Sequence, residues 1–325
     1  MSAPASQRVS GPPTPLDPTA QPDLRVRPGG EPEVHRGLAT FATVTTALTL
    51  VLIQIGAMVT STGSGLAYPD WPMANGSWWP PEMSRWSAGL LEHGHRTSGA
   101  VIGLLVLTLT VWTLAVERRR WPRRLAIALL ALVSVQGVVG GKGVQWGLPL
   151  WTSALHGVLA QVLLCALTVF AFGQARAWWR QFPLPAADVG GARRLATVSL
   201  VAVFVQLVLG AVVRHANLHG VLWLHITVAV VVALLILVAA LYAGARLGAV
   251  PGIRRTARWL LGVLTLQLAL GVATVVVRGG GKATATVDQY GRALVITGHV
   301  VVGAVMFLLA TLLCARVWRN AVRAA

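Results

Sequence analysis

Charge is what this sequence has least of. Only 11% of its residues are charged, against 55% that are hydrophobic. With a mean hydropathy of +0.67, that scarcity excludes an ordinary soluble domain and calls for a polytopic membrane protein. Cysteine is nearly missing too. Cys165 and Cys314 are the only two, and they lie in apolar runs far apart. No extracytoplasmic disulfide is therefore expected, and both read as buried small hydrophobes. No Cys-x-x-Cys-His occurs, which excludes covalent c-type heme attachment. Basic residues outnumber acidic ones 27 to 10, a net charge of +17. The excess does not imply a nucleic-acid partner, because it clusters in short connections between apolar runs, where it orients helices. Residues 1–36 are rich in Pro, Gly and charge but hold no apolar core run. They read as a disordered cytoplasmic tail, not a signal peptide.

What is present is a series of eight apolar runs, at about 38–60, 97–116, 124–141, 153–173, 195–213, 221–243, 257–277 and 293–314. Each is near the length needed to cross a bilayer as a helix, so the predicted fold is all-α and integral to the membrane. Twenty of the 27 basic residues fall in the tail, in alternate connections and at the C-terminus. By the positive-inside rule both termini are cytoplasmic, in a multi-pass protein of the cell membrane. The even-numbered helices then run from outside to inside. The first outer connection, about residues 61–92, is long and contains Trp71, Trp78, Trp79 and Trp86. It is expected to lie on the bundle as an interfacial cap. Its Pro and Gly content predicts irregular structure with short helical pieces at most.

The odd-numbered helices end alike. Gln136-Gly-Val-Val-Gly140, Gln206-Leu-Val-Leu-Gly210 and Gln267-Leu-Ala-Leu-Gly271 share Gln-x-x-x-Gly, and Gln54 takes the matching place in the first helix. Close helix packing with a polar bond across it accounts for the pattern; a polar wall beside a cofactor is the functional alternative. The chain reads as four hairpins, or two pseudo-symmetric four-helix halves, residues 37–180 and 181–325. Their symmetry axis is expected along the membrane normal.

His95, His156, His225 and His299 each lie near the start of an even-numbered run. A single intramembrane histidine usually serves packing, but four at one depth in a repeat point to a functional site. They suggest two facing pairs, each able to clamp the iron of a porphyrin. Zinc or copper fits less well without cysteine, carboxylate or a tighter cluster. In Glu92-His93-Gly94-His95-Arg96, Glu92 and His95 share a helical face, whereas His93 points elsewhere and is expected at the interface. His156 has the small Gly157 beside it and Gln161 further in. His215 and His219 read as loop residues of the short fifth connection, and His35 as part of the tail. Arg96, Arg214, Arg278 and Lys282 lie on the outer side, where they can pair with porphyrin propionates or with lipid headgroups.

These residues resemble the heme A synthase family. The likeness rests on Gly63-Ser-Gly-Leu-Ala-Tyr-Pro-Asp-Trp-Pro72, on Glu92-x-x-His95-Arg96, and on one histidine in each of helices 4, 6 and 8. It extends over about residues 38–314. The resemblance implies oxidation of a methyl group of heme O to the formyl group of heme A, by two hydroxylations and loss of water, for heme-copper oxidase assembly. It implies that His95 and His156 bracket the substrate heme, that His225 and His299 ligate a resident heme b, and that Glu92 is catalytic at the substrate site. Heme O synthase, an electron acceptor and membrane lipid are the implied partners, and a homo-oligomer is left open. Two departures stand out. Tyr68 and Ala74 occupy places where many relatives carry a cysteine pair, and the outer loop of the second half shrinks to about residues 214–220. A bis-histidine cytochrome that only transfers electrons, or a heme-handling transporter, are the rival readings.

Overall fold

The computed structural model describes residues 35–80, 88–216, 219–279 and 288–324. The expected tail, apart from His35 and Arg36, lies outside them, as do Trp86 and Lys282. Eight helices are long and apolar enough to cross a membrane. They are α1 (Arg36–Thr62), α2 (Ala88–Val116), α3 (Arg120–Gln145), α4 (Leu150–Gln174), α5 (Ala186–Ala216), α6 (His219–Arg246), α7 (Ile253–Gly279) and α8 (Gln289–Asn320). The protein is thus multi-pass, and its described residues are almost wholly α-helical. The shortest helix has 25 residues and the longest 32, or about 38–48 Å at 1.5 Å per residue. That exceeds the hydrocarbon core of roughly 30 Å, so the helix ends stand in the interfaces. There polar residues belong, and α2 accordingly starts before Glu92 rather than at residue 97.

The helices pack as two rings of four. In the first, α1 meets α2 and α4, and α3 meets α2 and α4; in the second, α5 meets α6 and α8, and α7 meets α6 and α8. Between the rings α1 touches α8, α4 touches α5, and α4 touches α8. Exchanging each helix with the one four places along leaves this pattern unchanged, as the repeat requires. Each ring has its own core. Val106, Leu109, Leu129, Leu167 and Phe170 fill the first; Ile236, Leu260, Leu313 and Val317 fill the second. Ile53, Leu164 and Ala304 close the seam. The outward faces are equally apolar, with Leu104, Val230, Leu234 and Val272 exposed. Lipid tails are as apolar as these side chains, so association relies on close packing and on polar bonds between helices. Examples are Thr110 Oγ1 donating to the Ala126 carbonyl at 3.0 Å and Ser199 Oγ to the Leu235 carbonyl at 3.0 Å. Cys165 and Cys314 are buried and unbridged.

The end of the bundle that bears the chain termini is tied by a structure the apolar runs did not reveal. After α4 a short 3-10 turn, Arg176–Trp179, leads to strand β1 (Phe182–Leu184), which pairs in parallel with β2 (Ala321–Arg323) just beyond α8. Asn320 Nδ2 donates to the carbonyls of Ala177 and Arg180, and Arg319 Nε to that of Trp178. The linker between the halves is thereby fastened to the C-terminal residues. Arg119 fastens it from the other side. Its backbone N–H and guanidinium donate to Glu117, and its Nη atoms reach the Gly173 carbonyl and Gln174 Oε1. The same guanidinium lies over the rings of Trp121 and Trp179.

Burial by itself would raise the Glu117 carboxyl, but the hydrogen bonds from Arg119 outweigh it and leave the group below its ordinary value. A lowered folded value stabilises the protein above the unfolded carboxyl value, and the gain is lost as pH falls through the folded one. Arg119→Ala leaves a buried carboxylate unpaired and is expected to cost on the order of 3 kcal/mol. It should also remove part of the acid-induced loss of stability. Thermal unfolding in detergent across the acid range checks both; an unchanged midpoint would contradict the anchoring role.

Candidate functional site

Each hairpin repeats one contact. A side-chain carbon added to Gly56, Gly140, Gly210 or Gly271 would stand 2.7, 2.8, 3.1 or 3.3 Å from Cε1 of His95, His156, His225 or His299 respectively. The four odd-numbered helices thus supply a bare backbone patch, and the four even-numbered helices lay an imidazole on it. The histidines lie 6, 7 or 10 residues into their helices, or about 9–15 Å from the helix starts. They therefore share one end of the bundle, opposite the end that bears the termini.

The glutamines of the repeat act on these histidines. Gln136 Nε2 donates to the His156 carbonyl at 2.8 Å, and Gln206 Nε2 to the His225 carbonyl at 2.9 Å. Gln267 Nε2 lies 3.4 Å from His299 Nε2. The contacts are those of the packing reading: the glycine lets the helices approach, and the glutamine holds the histidine-bearing turn. The first helix departs from it. Its ring-facing glycine is Gly56, four residues after Leu52, so no glutamine serves His95. Gln54, expected in the matching place, is exposed, because two residues carry it some 200° around the helix.

His95 and His156 face each other across the first ring, with ring centroids 6.2 Å apart and planes 83° apart. Two imidazoles bound on opposite sides of one metal, each about 2 Å from it, stand about 6 Å apart by centroid. The pair therefore fits a metal that brings its own equatorial ligands, as a porphyrin iron does. Among the described residues, no three His, Cys, Asp or Glu side chains converge as a closed metal site would need. In the second ring His225 and Arg214 are close enough to His299 to interact with it electrostatically. The Nδ1 atoms of His95 and His299 and the Oε1 atoms of Gln136, Gln206 and Gln267 are buried without partners. Such groups are costly unless something polar meets them.

Residues 63–80 cover the first pair without forming a helix. Asp70 organises them: its carboxylate accepts from the N–H groups of Asn75 and Gly76 at 2.8 and 2.9 Å. Those two residues have φ of 50° and 72°, the left-handed turn that Asn-Gly allows. The Gly76 amide in particular holds the Asp70 carboxyl below its ordinary value. Arg96 then staples the loop to α2. One Nη donates to the carbonyls of Asp70 and Met73, the other to the carbonyl of Tyr68 and to Glu92 Oε1. Tyr68 N donates to Glu92 Oε2 at 3.0 Å. Glu92, 3% exposed, thus lies under the cap beside the first histidine pair with both oxygens engaged. The Pro-Asp-Trp-Pro stretch works as a clasp, and Trp71 seats it by lying against Gly141.

Some expectations need correction. Arg96, considered for an anionic ligand, directs both Nη atoms to the cap and Glu92. His93, expected at the interface, is buried between the rings of Tyr68 and Trp79, because the cap extends over it. Of the cap tryptophans, Trp78 and Trp79 are each 70% exposed, and Trp79 still lays its ring against His93 of α2. Arg214, His215 and His219 belong to helices rather than to a loop, since α5 runs to Ala216 and α6 starts at His219. Tyr68 and Ala74 are both buried in the cap.

Arg214 crosses from the second ring to the first. Its Nη2 donates to the Ala57 carbonyl at 2.6 Å and to Ser61 Oγ at 2.8 Å, while Nη1 is buried without a partner. Thr297 on α8 also reaches Ser61, at 3.1 Å. Beside them a cavity of about 390 Å³ is lined by Ser61, Val277, Arg278, Gln289, Arg292 and Ile296. Arg278 thus lines a cavity at the histidine end.

Comparison with known proteins adds a family. The profile of a family described as cytochrome oxidase assembly protein matches residues 39–222, which include His95 and His156 and stop short of His225 and His299. A heme A synthase of Geobacillus kaustophilus is 30% identical over 196 residues, 57% of this chain and 58% of that protein. One of Lysinibacillus sphaericus is 32% identical over 192 residues, 56% of this chain and 60% of that protein. One of Bacillus pumilus is 36% identical over 141 residues, 41% of this chain and 45% of that protein. The chain therefore spans about three fifths or less of the length of these relatives.

Two measurements test the geometry. In Gly56→Ala and Gly140→Ala the added carbon must push the His95 or His156 ring aside, whereas Gly271→Ala asks the His299 ring to give by only a few tenths of an ångström. Structures of the variants check this, and an unmoved His156 ring in Gly140→Ala would contradict it. Arg96→Ala is expected to speed proteolysis within residues 63–77 by about tenfold or more, having lost a charged hydrogen-bond hub. The same segment should lose protection as pH falls through the lowered Asp70 value, because the loop is held by the ionised carboxylate.

Proposed function

The chain belongs to the family of cytochrome oxidase assembly proteins, and we propose that it acts as a heme A synthase, oxidising a methyl group of heme O to a formyl group. The observation that carries this reading is the inequality of the two histidine pairs. Both pairs lie at one end of one membrane bundle, but among the described residues only the first has a carboxylate, Glu92, under a dedicated cap. Residues 37–180 then form the half that takes the substrate, and residues 181–325 the half with the resident heme b. His95 and His156 hold the iron of heme O, and His225 and His299 that of heme b. Arg214 and Arg278 are placed for heme propionates.

The resident group, when bound, supplies one-electron redox chemistry. The chain's own residues bind, orient and manage protons. Gln136 holds the turn that carries His156, while His95 has no such partner, an arrangement suited to a ligand that must be exchanged at each turnover. Glu92 stands at the mouth of the first ring as the group that takes up a proton or faces developing positive charge. Tyr68 N and Arg96 fix the position of its two oxygens, so Arg96 acts as a positioning residue. The cap shields this carboxylate from the aqueous side, and the apolar outer faces of the helices leave the bilayer as the route for a lipid-soluble porphyrin. A heme O synthase and an electron acceptor are the partners such a reaction calls for. The excess of arginine at the terminal end supports cytoplasmic termini in a cell membrane.

Co-expression with a heme O synthase, followed by pigment extraction, tests the reading. Heme A should form with the native chain and fall at least a hundredfold with Glu92→Ala, while heme b stays bound. Heme b alone, with heme O unconverted by the native chain, would favour a cytochrome that only transfers electrons. His225→Ala and His299→Ala should each abolish the low-spin heme b signal; its survival in both would overturn the second-half assignment.

A further inference from the structure

Helix α1 is a wall that the two rings share, and it turns a different face to each. Toward the first ring, Gly56 carries the imidazole of His95. Ile53, Ala57 and Ser61 are spaced four apart and form the face turned to the second ring. Ile53 closes the apolar seam with Leu164 and Ala304, and Ala57 is buried. At the histidine end the same stripe becomes polar. Arg214 Nη2, from α5, donates to the Ala57 carbonyl at 2.6 Å and to Ser61 Oγ at 2.8 Å. Thr297 Oγ1, from α8 and itself buried, reaches Ser61 Oγ at 3.1 Å and Met58 Sδ at 3.7 Å.

Both partners belong to the turns that hold the second histidine pair. Arg214 lies four residues after Gly210, on which the His225 ring rests, and Thr297 lies two residues before His299. A chain of contacts thus runs from each histidine of the second ring to the α1 residue next to the seat of His95. It is incomplete at one atom: Arg214 Nη1 is buried and, among the described residues, has no partner. A buried guanidinium with an unmet donor is costly. Without an anion the side chain therefore gains by leaving α1 for water, and the cavity of about 390 Å³ that Ser61 lines offers the room. An anion at Nη1 removes that gain and keeps Nη2 on α1. The planar fork of one arginine can hold an anion and α1 at the same time.

We propose that Arg214 couples the two rings: an anionic porphyrin bound in the second fixes the outer end of α1, and with it the glycine seat of His95 in the first. This rests on the second ring as the site of the resident heme, whose propionates supply the anion. Arg214 acts here as a positioning residue, and Ser61 and Thr297 complete the link. The coupling orders the loading of the protein, the second ring before the first, by shifting α1 toward its binding-competent position. Coupling of this kind is reciprocal, so a porphyrin in the first ring tightens the second by the same factor.

Hydrogen exchange of the full-length chain, with heme b as the probe, tests this. His95→Ala with His156→Ala leaves only the second pair to bind it. In that chain heme b should slow amide exchange at residues 53–62 about tenfold, while residues 120–130, at the far end of α3, should not respond. Arg214→Gln should abolish the slowing. Ser61→Ala keeps the guanidinium but removes one of its acceptors, and should reduce the slowing severalfold. Should Arg214→Gln fail to hold heme b, Ser61→Ala still decides. Heme b bound without slowing, slowing shared equally by residues 120–130, or slowing unchanged in Ser61→Ala would overturn the coupling and leave the resident-heme reading standing. Failure of the second pair alone to bind heme b would overturn that reading, and the coupling with it.

Discussion

The structure depends on a contact made four times: an imidazole lying on a helix that has no side chain beneath it. Each histidine occupies volume that a Cβ on the neighbouring helix would fill, so the glycine and the histidine specify one another. Within a bilayer the hydrophobic effect does not draw helices together, and a hydrogen bond between them contributes about 0.6–1.7 kcal/mol. Packing at these four points therefore carries much of the specificity. It sets which odd-numbered helix lies against which even-numbered one, and it brings all four rings to one end.

From that constraint the two halves diverge by small changes. In the second ring both histidines have a glutamine within reach, and the arrangement is closed by Arg214, which binds back to α1 at Ala57, next to the glycine that supports His95. In the first ring one glutamine is replaced by Leu52. A cap is added, and a carboxylate is buried beneath it. Charge holds the cap, together with the seating of Trp71 against Gly141: Asp70 orders the Asn75-Gly76 turn, and Arg96 gathers the carbonyls of Tyr68, Asp70 and Met73 while holding Glu92. One arginine thus couples the shape of the loop to the position of the carboxylate.

The opposite end solves a separate problem. Two rings joined by one linker need a fixed relation, and the β1–β2 pair, Asn320 and Arg119 supply it with backbone carbonyls that would otherwise be unpaired. The same end gathers arginine by membrane topology. Part of that charge is held over tryptophan rings, as with Arg119, Arg193 and Arg319, and Arg119 is also paired with Glu117.

The spans, the terminal charge bias, the four histidines and the repeat were legible in the sequence, because hydropathy, charge and period are local properties that a bilayer makes decisive. The clasp in Pro-Asp-Trp-Pro was visible as a motif but not as a mechanism, since Asp70 acts on Asn75 and Gly76 and through them on Arg96, 26 residues away. Gln54 was misaligned by two residues because side-chain direction, not order along the chain, defines equivalence on a helix. The parallel strand pair joins residues more than a hundred positions apart and has no periodic trace in three-residue segments. The sequence by itself determined that four helices would bring histidines to one depth, for that follows from where apolar runs begin. Only the tertiary structure decided which histidine faces which, what holds each ring, and that Arg96 serves the cap, because those depend on how helices rotate about their axes once packed.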